Sequence, residues 1–461
     1  MNRVVDIVKV IGNSLFKKLN IESDRTRNIS MHVLFSFLYK GGSIVIGFLV
    51  IPLTIKYLDN EHYGVWLTLN AFVAWFTFFD IGLGNGLRNK FSESVAQSNF
   101  VSARYYVSTT FFTVLAISLL LFTVFVIANG FIDWSRVFNV SDEIGMELSS
   151  LMPVVFGLFC LQLVLKLVTT IYTADQHHSM QGKVNFIIQL TGLIAICILN
   201  VFSKSSLFLY GFIVSVVPVV VLMILNFWAF KGKYHYYLPN IKFWKNGCLK
   251  DVFGLGMGFF VIQIAGVILF TTDNFIITQL FGAAAVVPYN IAYKYFSIVN
   301  MILSIMLTPF WSSITNAYTK GDFEWIKKTM RNLTIISLSG IIVVAAMVFL
   351  SPWFYSIWVG DSIDVPFQLT ISMAVFFVIY NAYAPFTYFI NGTGKIRLQM
   401  YTIVVMSAIN IPLAVFFGKY MEMGLSGVIL ATVICLLPHA VLLPIQYHKI
   451  VNHKANGIWN K

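Results

Sequence analysis

The sequence predicts an all-α integral membrane protein with about twelve transmembrane helices, and three observations support this class. Of the 461 residues, 58% are apolar or aromatic and only 11% are charged, whereas a soluble domain carries about 25% charged residues. The chain contains twelve apolar stretches, each near the roughly 20 residues that cross a bilayer as a helix. Basic residues concentrate in every second connection between these stretches, as expected for alternating sides of a membrane.

The apolar stretches follow one another at short intervals from residue 33 to residue 446. We predict transmembrane helices at 33–57, 63–86, 106–129, 149–173, 184–203, 206–230, 252–280, 285–312, 331–352, 367–390, 397–418 and 425–446. Ahead of them, apolar residues recur at helical spacing among charged ones between Val4 and Leu15. This pattern predicts an amphipathic helix that lies on the bilayer surface.

The net charge of +12 would suggest a nucleic-acid partner in a soluble chain. Here the positions of the cations indicate topology instead, because Lys and Arg next to a span resist translocation. With a cytoplasmic N-terminus, 24 of the 31 Lys and Arg residues fall in inner segments, four in outer loops and three inside spans. Both termini are therefore predicted to be cytoplasmic, and no nucleic-acid partner is expected.

The chain also repeats weakly, since the inner segments 178–183 and 390–395 resemble each other at an offset of 212 residues. Six spans per half place both halves in the same orientation, which predicts two six-helix bundles related by a pseudo-two-fold axis along the membrane normal, with a substrate path between them. The predicted divisions are a cytoplasmic N-terminal segment, a first bundle, a Lys-rich cytoplasmic linker, a second bundle and a cytoplasmic tail, at 1–30, 31–230, 231–250, 251–450 and 451–461.

Five charged residues fall inside predicted spans, where each charge costs at least about 2.5–3.5 kcal/mol and must be satisfied. Lys40 lies about 10 Å from the cytoplasmic edge at 1.5 Å per residue, and Lys166 lies at similar depth in the fourth span. Asp80 lies near the inner end of the second span. Asp273 and Lys294 lie at matching depth on either side of the turn between the seventh and eighth spans.

Two interpretations of these charges stay open. Asp273 and Lys294 could form a structural ion pair within one helical hairpin. Alternatively, three lysines line a water-filled cavity that attracts an anionic head group, for which lysine is suited as a mobile point charge. The substrate-binding candidates are Lys40, Lys166 and Lys294, the candidates for ion coupling or charge pairing are Asp80 and Asp273, and Arg88 is placed at the mouth of the cavity.

No pattern in the sequence indicates a catalytic centre, a metal site or a bound cofactor. The segment Gly392-Thr-Gly394-Lys395 resembles the end of a phosphate-binding loop, but Phe389 stands where the first glycine belongs. No cluster of Cys, His and carboxylate residues has metal-ligand spacing. We therefore expect no catalytic residue, no metal and no cofactor.

Several short segments resemble the polysaccharide transporter family of the multidrug/oligosaccharidyl-lipid/polysaccharide flippase superfamily. Residues 57–66 resemble its L-G-x-x-x-Y-G-x-W signature, with Asp59 in place of the glycine, and 79–90 resemble the stretch that closes its second span. Similarity continues at 273–289 and at Asn410-Ile411-Pro412. These segments are distributed over nearly the whole chain and identify it as similar to an O-antigen or capsular repeat-unit flippase.

This resemblance implies two six-helix bundles in a V shape in the bacterial cytoplasmic membrane. It also implies a substrate, an undecaprenyl-pyrophosphate-linked oligosaccharide that is flipped to the outer leaflet by alternating access for a polysaccharide polymerase to extend. Coupling to an H+ or Na+ gradient is implied as well. Lys40 and Lys294 lie where related flippases place basic residues, and Lys166 matches less closely.

Two other functions remain as alternatives. A drug or cation antiporter of the same superfamily would have an acidic cavity, whereas this chain has three lysines against two aspartates inside its spans. A membrane glycosyltransferase or polymerase would need a larger outer loop than the one at 130–148 to hold its catalytic groups.

Overall fold

The computed structural model describes residues 24–175, 177, 179–254, 257–360 and 363–461. Within these ranges, it leaves out the side chains of 24–37, 78–82, 85, 96, 179, 253, 254, 257–259, 309, 312, 316 and 319. The predicted amphipathic helix before residue 24 lies outside the described residues. Every regular element of the described chain is helical, which confirms the predicted all-α class.

The helices follow the predicted spans in order. They are α1 Asp24–Tyr57, α2 Asn60–Ala74, α3 Phe78–Ala96, α4 Phe100–Asn129, α5 Trp134–Phe138, α6 Asp142–Leu165, α7 Leu167–Ala174, α8 Ser179–Phe202, α9 Leu207–Lys231, α10 Asn246–Gly254, α11 Met257–Phe281, α12 Val286–Lys320, α13 Phe323–Val359, α14 Phe367–Thr393, α15 Arg397–Val415 and α16 Gly424–Val451. Several of them continue past the predicted edges of their spans, because helical hydrogen bonding persists beyond the bilayer core.

Eleven helical segments of the described residues are long and apolar enough to cross a membrane. The twelfth predicted span, 63–86, is divided between α2 and α3 by a tight turn. In this turn the N–H groups of Trp75, Phe76 and Thr77 bond the carbonyls three residues earlier, and the Thr77 hydroxyl donates to the Ala74 carbonyl at 2.7 Å. The prediction of one continuous helix here was wrong, because i→i−3 bonding tightens the chain and interrupts the α-helical ladder.

Side-chain caps explain where several helices begin. A polar side chain just before the first turn accepts a backbone N–H that has no partner within the helix. Asp59 caps α2 through the His62 N–H at 2.8 Å, which gives the residue that replaces the family glycine a local role. Equivalent caps are Asn99, Ser141, Ser206 and Asp322 before α4, α6, α9 and α13.

The same helix pairs pack together in the two halves of the chain. In the first half α1 packs on α8, α6 on α9, α4 on α6, α3 on α4, and α8 on α9. The pairs at the same positions of the second half are α11 with α15, α14 with α16, α13 with α14, α12 with α13, and α15 with α16. This correspondence is what two bundles related by a pseudo-two-fold axis produce.

The two halves meet closely at the end of the molecule that is predicted to face outward, where α1 ends and α2, α6, α9, α12 and α14 begin. Gly64 packs on the backbone of Ala283 so closely that an added Cβ would lie 1.8 Å from the Ala283 carbonyl oxygen. The Thr68 and Thr278 hydroxyls lie 2.6 Å apart, and the Trp358 indole donates to the Phe48 carbonyl at 2.8 Å. Two more hydrogen bonds between the halves lie at this end, from the Asn139 amide to the Thr278 carbonyl at 3.3 Å and from the Gln279 amide to the Arg136 carbonyl at 3.1 Å.

Candidate substrate cleft between the halves

Lys294 extends from α12 to the first helix of the opposite half. An added Cβ at Gly47 of α1 would lie 2.9 Å from the Lys294 Nζ atom. The absence of a side chain at Gly47 therefore leaves the space that the ammonium group occupies. α1 and α12 are otherwise not closely packed along their length, so Lys294 places a positive charge at the open side of the junction between the halves.

Lys40 faces the same side of α1. It precedes Gly47 by seven residues, and seven residues are two helical turns short by about 20°, so the two positions point in nearly the same direction. Along the helix axis they are about 10 Å apart. The Lys40 side chain is exposed, and Tyr39 next to it contacts Phe186 of α8 in a different direction, with the ring centres 5.9 Å apart. Lys40 and Lys294 therefore line one seam, with Lys40 nearer to the predicted cytoplasmic end.

Neither of these two lysines has an acidic partner in the part of the chain that the structure describes. No described carboxylate lies within 4.0 Å of either ammonium nitrogen. An ammonium group at membrane depth needs water, a polar group or an anion to replace its hydration shell. The seam between α1 and α12 therefore has the charge and the access expected of an anion site.

Asp273 is buried inside the second half and does not form the predicted ion pair with Lys294. Its side-chain oxygen accepts a 2.5 Å hydrogen bond from the Tyr289 hydroxyl and a 3.3 Å bond from the Thr432 hydroxyl. Matched depth left the ion pair open as one of two interpretations, because depth along two helices does not fix the direction of their side chains. Lys294 points out of its bundle toward α1, whereas Asp273 points into the bundle toward α16.

The polar cluster around Asp273 continues through Asn410 of α15. The Asn410 amide nitrogen donates to the Thr432 hydroxyl at 2.9 Å. The Asn410 Oδ1 atom is fully buried and has no hydrogen-bond partner among the described residues. Thr432 was not identified from the sequence, because a threonine in an apolar helix gives no signal of its own until its neighbours are known.

The other predicted site residues do not join this seam through described contacts. Lys166 lies at the junction of α6 and α7, where its side chain is exposed, and the helices that pack most closely on these two belong to the first half. Arg88 is exposed near the cytoplasmic end of α3. Asp80 belongs to α3, but its side chain lies outside the described residues. The proposed roles of these three residues stay predictions.

A cavity of about 170 Å³, lined by both apolar and polar side chains, lies inside the second half toward the predicted cytoplasmic end. Buried His439 at its wall bonds the Thr402 hydroxyl at 2.7 Å, and the Gln399 Oε1 atom has no partner among the described residues. The cavity was not predicted, since its lining comes from five helices. The lining includes Phe270, Asn300, Tyr380, Tyr383, Tyr388, Gln399 and His439.

These features define a multi-pass membrane protein of transporter type, with two halves, a basic seam and a buried carboxylate. The family model described as "Polysaccharide biosynthesis protein" matches residues 29–315, which is more than half of the chain. The protein belongs to this family. A second model, MatE, matches residues 259–416.

Similar proteins in curated collections are named for O-antigen transport. A Yersinia pseudotuberculosis protein named for O-antigen export is 22% identical over 366 residues, covering 77% of this chain and 81% of its own length. A Salmonella typhimurium protein named as an O-antigen transporter is 22% identical over 390 residues, covering 82% of this chain and 87% of its own length.

Solved structures of similar fold include transporters of the MATE family. An inward-facing MATE transporter of the MOP superfamily superposes with a TM-score of 0.72 at 14% identity, covering 91% of this chain and 95% of the other. An outward-facing MATE transporter of the same superfamily gives a TM-score of 0.63 at 14% identity, covering 92% and 96%. At this identity the similarity establishes the fold.

Proposed function

We propose that this protein flips an undecaprenyl-pyrophosphate-linked oligosaccharide from the cytoplasmic to the outer leaflet of the bacterial inner membrane. The glycan would then be extended by a polysaccharide polymerase into O-antigen, capsule or exopolysaccharide. The observation that carries the proposal is the pair of lysines, Lys40 and Lys294, on one seam without acidic partners among the described residues. A diphosphate is the anionic part of such a substrate, and mobile ammonium groups suit it.

The position of the seam supports a lipid-linked substrate over a free one. α1 and α12 are at a side of the molecule where the halves are not closely packed, and the side-chain hydrogen bonds between Thr68 and Thr278 and from Trp358 to Phe48 lie toward the outer end. A head group can therefore enter the cleft from the predicted cytoplasmic side while its polyprenyl chain stays in the bilayer. Alternating access would then open the outer end.

We propose that Asp273 couples this movement to an H+ or Na+ gradient. A carboxylate that is 3% exposed, and whose hydrogen-bond partners among the described residues are hydroxyl groups, needs either a proton or a bound cation to offset its charge. The Thr432 hydroxyl and the unpaired Asn410 oxygen supply two further oxygen atoms nearby, and oxygen ligands suit a hard cation.

The test uses a strain of the native bacterium from which the gene for this protein has been deleted. Variants of the protein are supplied to this strain in trans. Lys294→Gln and Lys40→Gln should each lower surface polysaccharide at least tenfold at normal protein level, and the lipid-linked precursor should accumulate inside. Lys320→Gln, which removes an exposed charge at the end of the same α12 helix, serves as the matched control.

Unchanged surface polysaccharide in both lysine variants would remove the two residues from the substrate site. The match to the MatE model keeps a drug antiporter as the second candidate. If the deletion strain keeps its surface polysaccharide but becomes sensitive to cationic dyes, the antiporter is the better assignment.

A further inference from the structure

The linker between the two halves packs on the first half in an ordered conformation. Two short 3₁₀ turns, His235–Tyr237 and Ile241–Phe243, are followed by α10. The linker N–H groups of Asn240 and Lys245 bond the hydroxyls of Ser108 and Thr109 on α4 at 3.3 and 3.0 Å. These contacts hold the linker along α4 and fix the direction of its side chains.

Cation–π contacts add to this attachment. The Arg104 guanidinium of α4 lies 4.1 Å from the centre of the Phe243 ring and 5.5 Å from that of Tyr236. In return, the Lys245 ammonium of the linker lies 3.6 Å from the centre of the Tyr105 ring. At the start of the linker, Lys233 pairs with Asp175 at 2.5 Å, and the Tyr234 hydroxyl donates to the same carboxylate at 2.8 Å.

The linker contacts α4 at the level of the membrane boundary. α4 ends at Asn129 on the predicted outer side, and about 20 residues cross the hydrocarbon core, so we place the inner boundary near Thr109. Ser108, Thr109 and Thr113 are the α4 residues that bond the linker, the last of them through the Trp244 indole at 3.2 Å. The linker therefore lies in the plane of the inner head groups.

At this level the linker presents two kinds of exposed side chain. Leu238 is 51% exposed, Ile241 61% and Trp244 41%, although they are large and apolar. Beside them are exposed lysines that have no carboxylate within 4.0 Å among the described residues: Lys231, Lys242, Lys245 and Lys250. Apolar side chains with a fringe of lysine are the composition that binds an anionic membrane surface.

We propose that residues 231–250 form an interfacial segment that inserts Leu238, Ile241 and Trp244 into the inner leaflet and binds anionic phospholipid head groups through its lysines. The predicted cytoplasmic linker is then a membrane-bound element of the first half. The partner is lipid, since the apolar residues face outward at the height of the acyl boundary and each lysine adds attraction to anionic head groups. This site is distinct from the lysine seam and does not depend on the transported substrate.

The first test measures lipid selectivity. The purified full-length protein is mixed with equal amounts of phosphatidylglycerol and phosphatidylcholine in detergent, and retained lipid is counted by native mass spectrometry. Lys231→Gln/Lys242→Gln/Lys250→Gln should lower phosphatidylglycerol retention at least threefold, and these changes leave the Lys245 contact with Tyr105 in place. The control variant Lys320→Gln/Lys327→Gln/Lys328→Gln removes the same amount of charge from the predicted cytoplasmic connection between α12 and α13. It should retain phosphatidylglycerol as the parent protein does. Equal retention by all three proteins, or equal loss in both variants, would overturn the proposal.

The second test measures insertion without altering a lysine. Cys197 and Cys248 are replaced by serine, because Cys160 and Cys435 are buried and the other two are not. A fluorophore is attached at Ile241→Cys, or at Lys454→Cys in the C-terminal tail as the control. In vesicles with 30% phosphatidylglycerol, spin-labelled lipid should quench position 241 and aqueous iodide should quench position 454. Stronger quenching of position 241 by iodide would refute insertion, whatever the transport activity.

Discussion

At the scale of single residues, the membrane-embedded charges divide into two groups with different surroundings. Lys294 and Lys40 lie on the seam between the halves and have no described carboxylate nearby. Asp273 lies inside one bundle and accepts hydrogen bonds from the Tyr289 and Thr432 hydroxyls. Because the opposite charges are kept apart, we propose an anion as the partner of the lysines and a proton or cation as the partner of the aspartate.

Replacement of Asp273 should separate coupling from folding. Asp273→Asn removes the negative charge but keeps an oxygen that can accept from Tyr289, so we expect normal protein level and a loss of surface polysaccharide of at least tenfold. Tyr289→Phe removes only a hydrogen bond, worth about 0.5–1.5 kcal/mol, and should retain most of the export. The readout is surface polysaccharide by immunoblot. Full export by Asp273→Asn would exclude a coupling role.

At the scale of helices, small residues decide how closely the halves approach. Gly64 on α2 packs against the Ala283 backbone at the outer end, and Gly47 on α1 leaves room for the Lys294 ammonium group. In both places a side chain would meet an atom of the other half. The two glycines therefore act at the junction between the bundles, where close approach in a membrane depends on small residues.

Gly64→Ala should weaken the closed outer end. A Cβ would lie 1.8 Å from the Ala283 carbonyl oxygen. Overpacking of this kind typically destabilises a contact by about 1–3 kcal/mol. The change should shift the population toward an open outer end by roughly 5- to 150-fold. Spin labels at Glu143→Cys and Asp364→Cys, both exposed at that end, should report a longer distance in this variant.

Gly192→Ala is the matched control for this experiment, because nothing lies within 4 Å of an added Cβ at that position. Its spin-label distances should equal those of the parent protein. Identical distance distributions in the Gly64 and Gly192 variants would show that the Gly64 contact does not hold the outer end closed.

At the scale of the whole molecule, the arrangement is two bundles with matching internal packing and unequal contacts between them. The outer end is held by Thr68 with Thr278, by Trp358 with Phe48, and by the Asn139 amide, which donates to the Thr278 carbonyl at 3.3 Å. Transport by alternating access requires that these contacts break while each bundle keeps its own packing.

A reversible cross-link across the outer end should therefore stop transport. The Thr68 and Thr278 hydroxyls are 2.6 Å apart, so Thr68→Cys/Thr278→Cys should form a disulfide under oxidation. We expect export to stop when the bond forms and to recover with a reducing agent. Ser94→Cys/Ser102→Cys links α3 to α4 within one half, where the hydroxyls are 3.5 Å apart, and should leave export unchanged. Continued export by the oxidised first pair would exclude opening at this end.

The helical class, the order of the spans and the location of the charged residues could all be determined from the sequence. These properties depend on hydropathy over about 20 residues and on the cost of a buried charge, which act locally along the chain. The break between α2 and α3 was missed because hydropathy does not distinguish a tight turn from a continuous helix. The lysines were recognised as candidates from their depth alone.

Only the tertiary structure decided which charges meet. Lys294 turns toward Gly47 of α1 and Asp273 toward Thr432 of α16, although the two residues share one hairpin and one depth. The direction of a side chain around its helix depends on which helices pack beside it, and those neighbours come from distant parts of the sequence. Periodicity and depth therefore identify a membrane-embedded charge, whereas the packing of the bundles determines its partner.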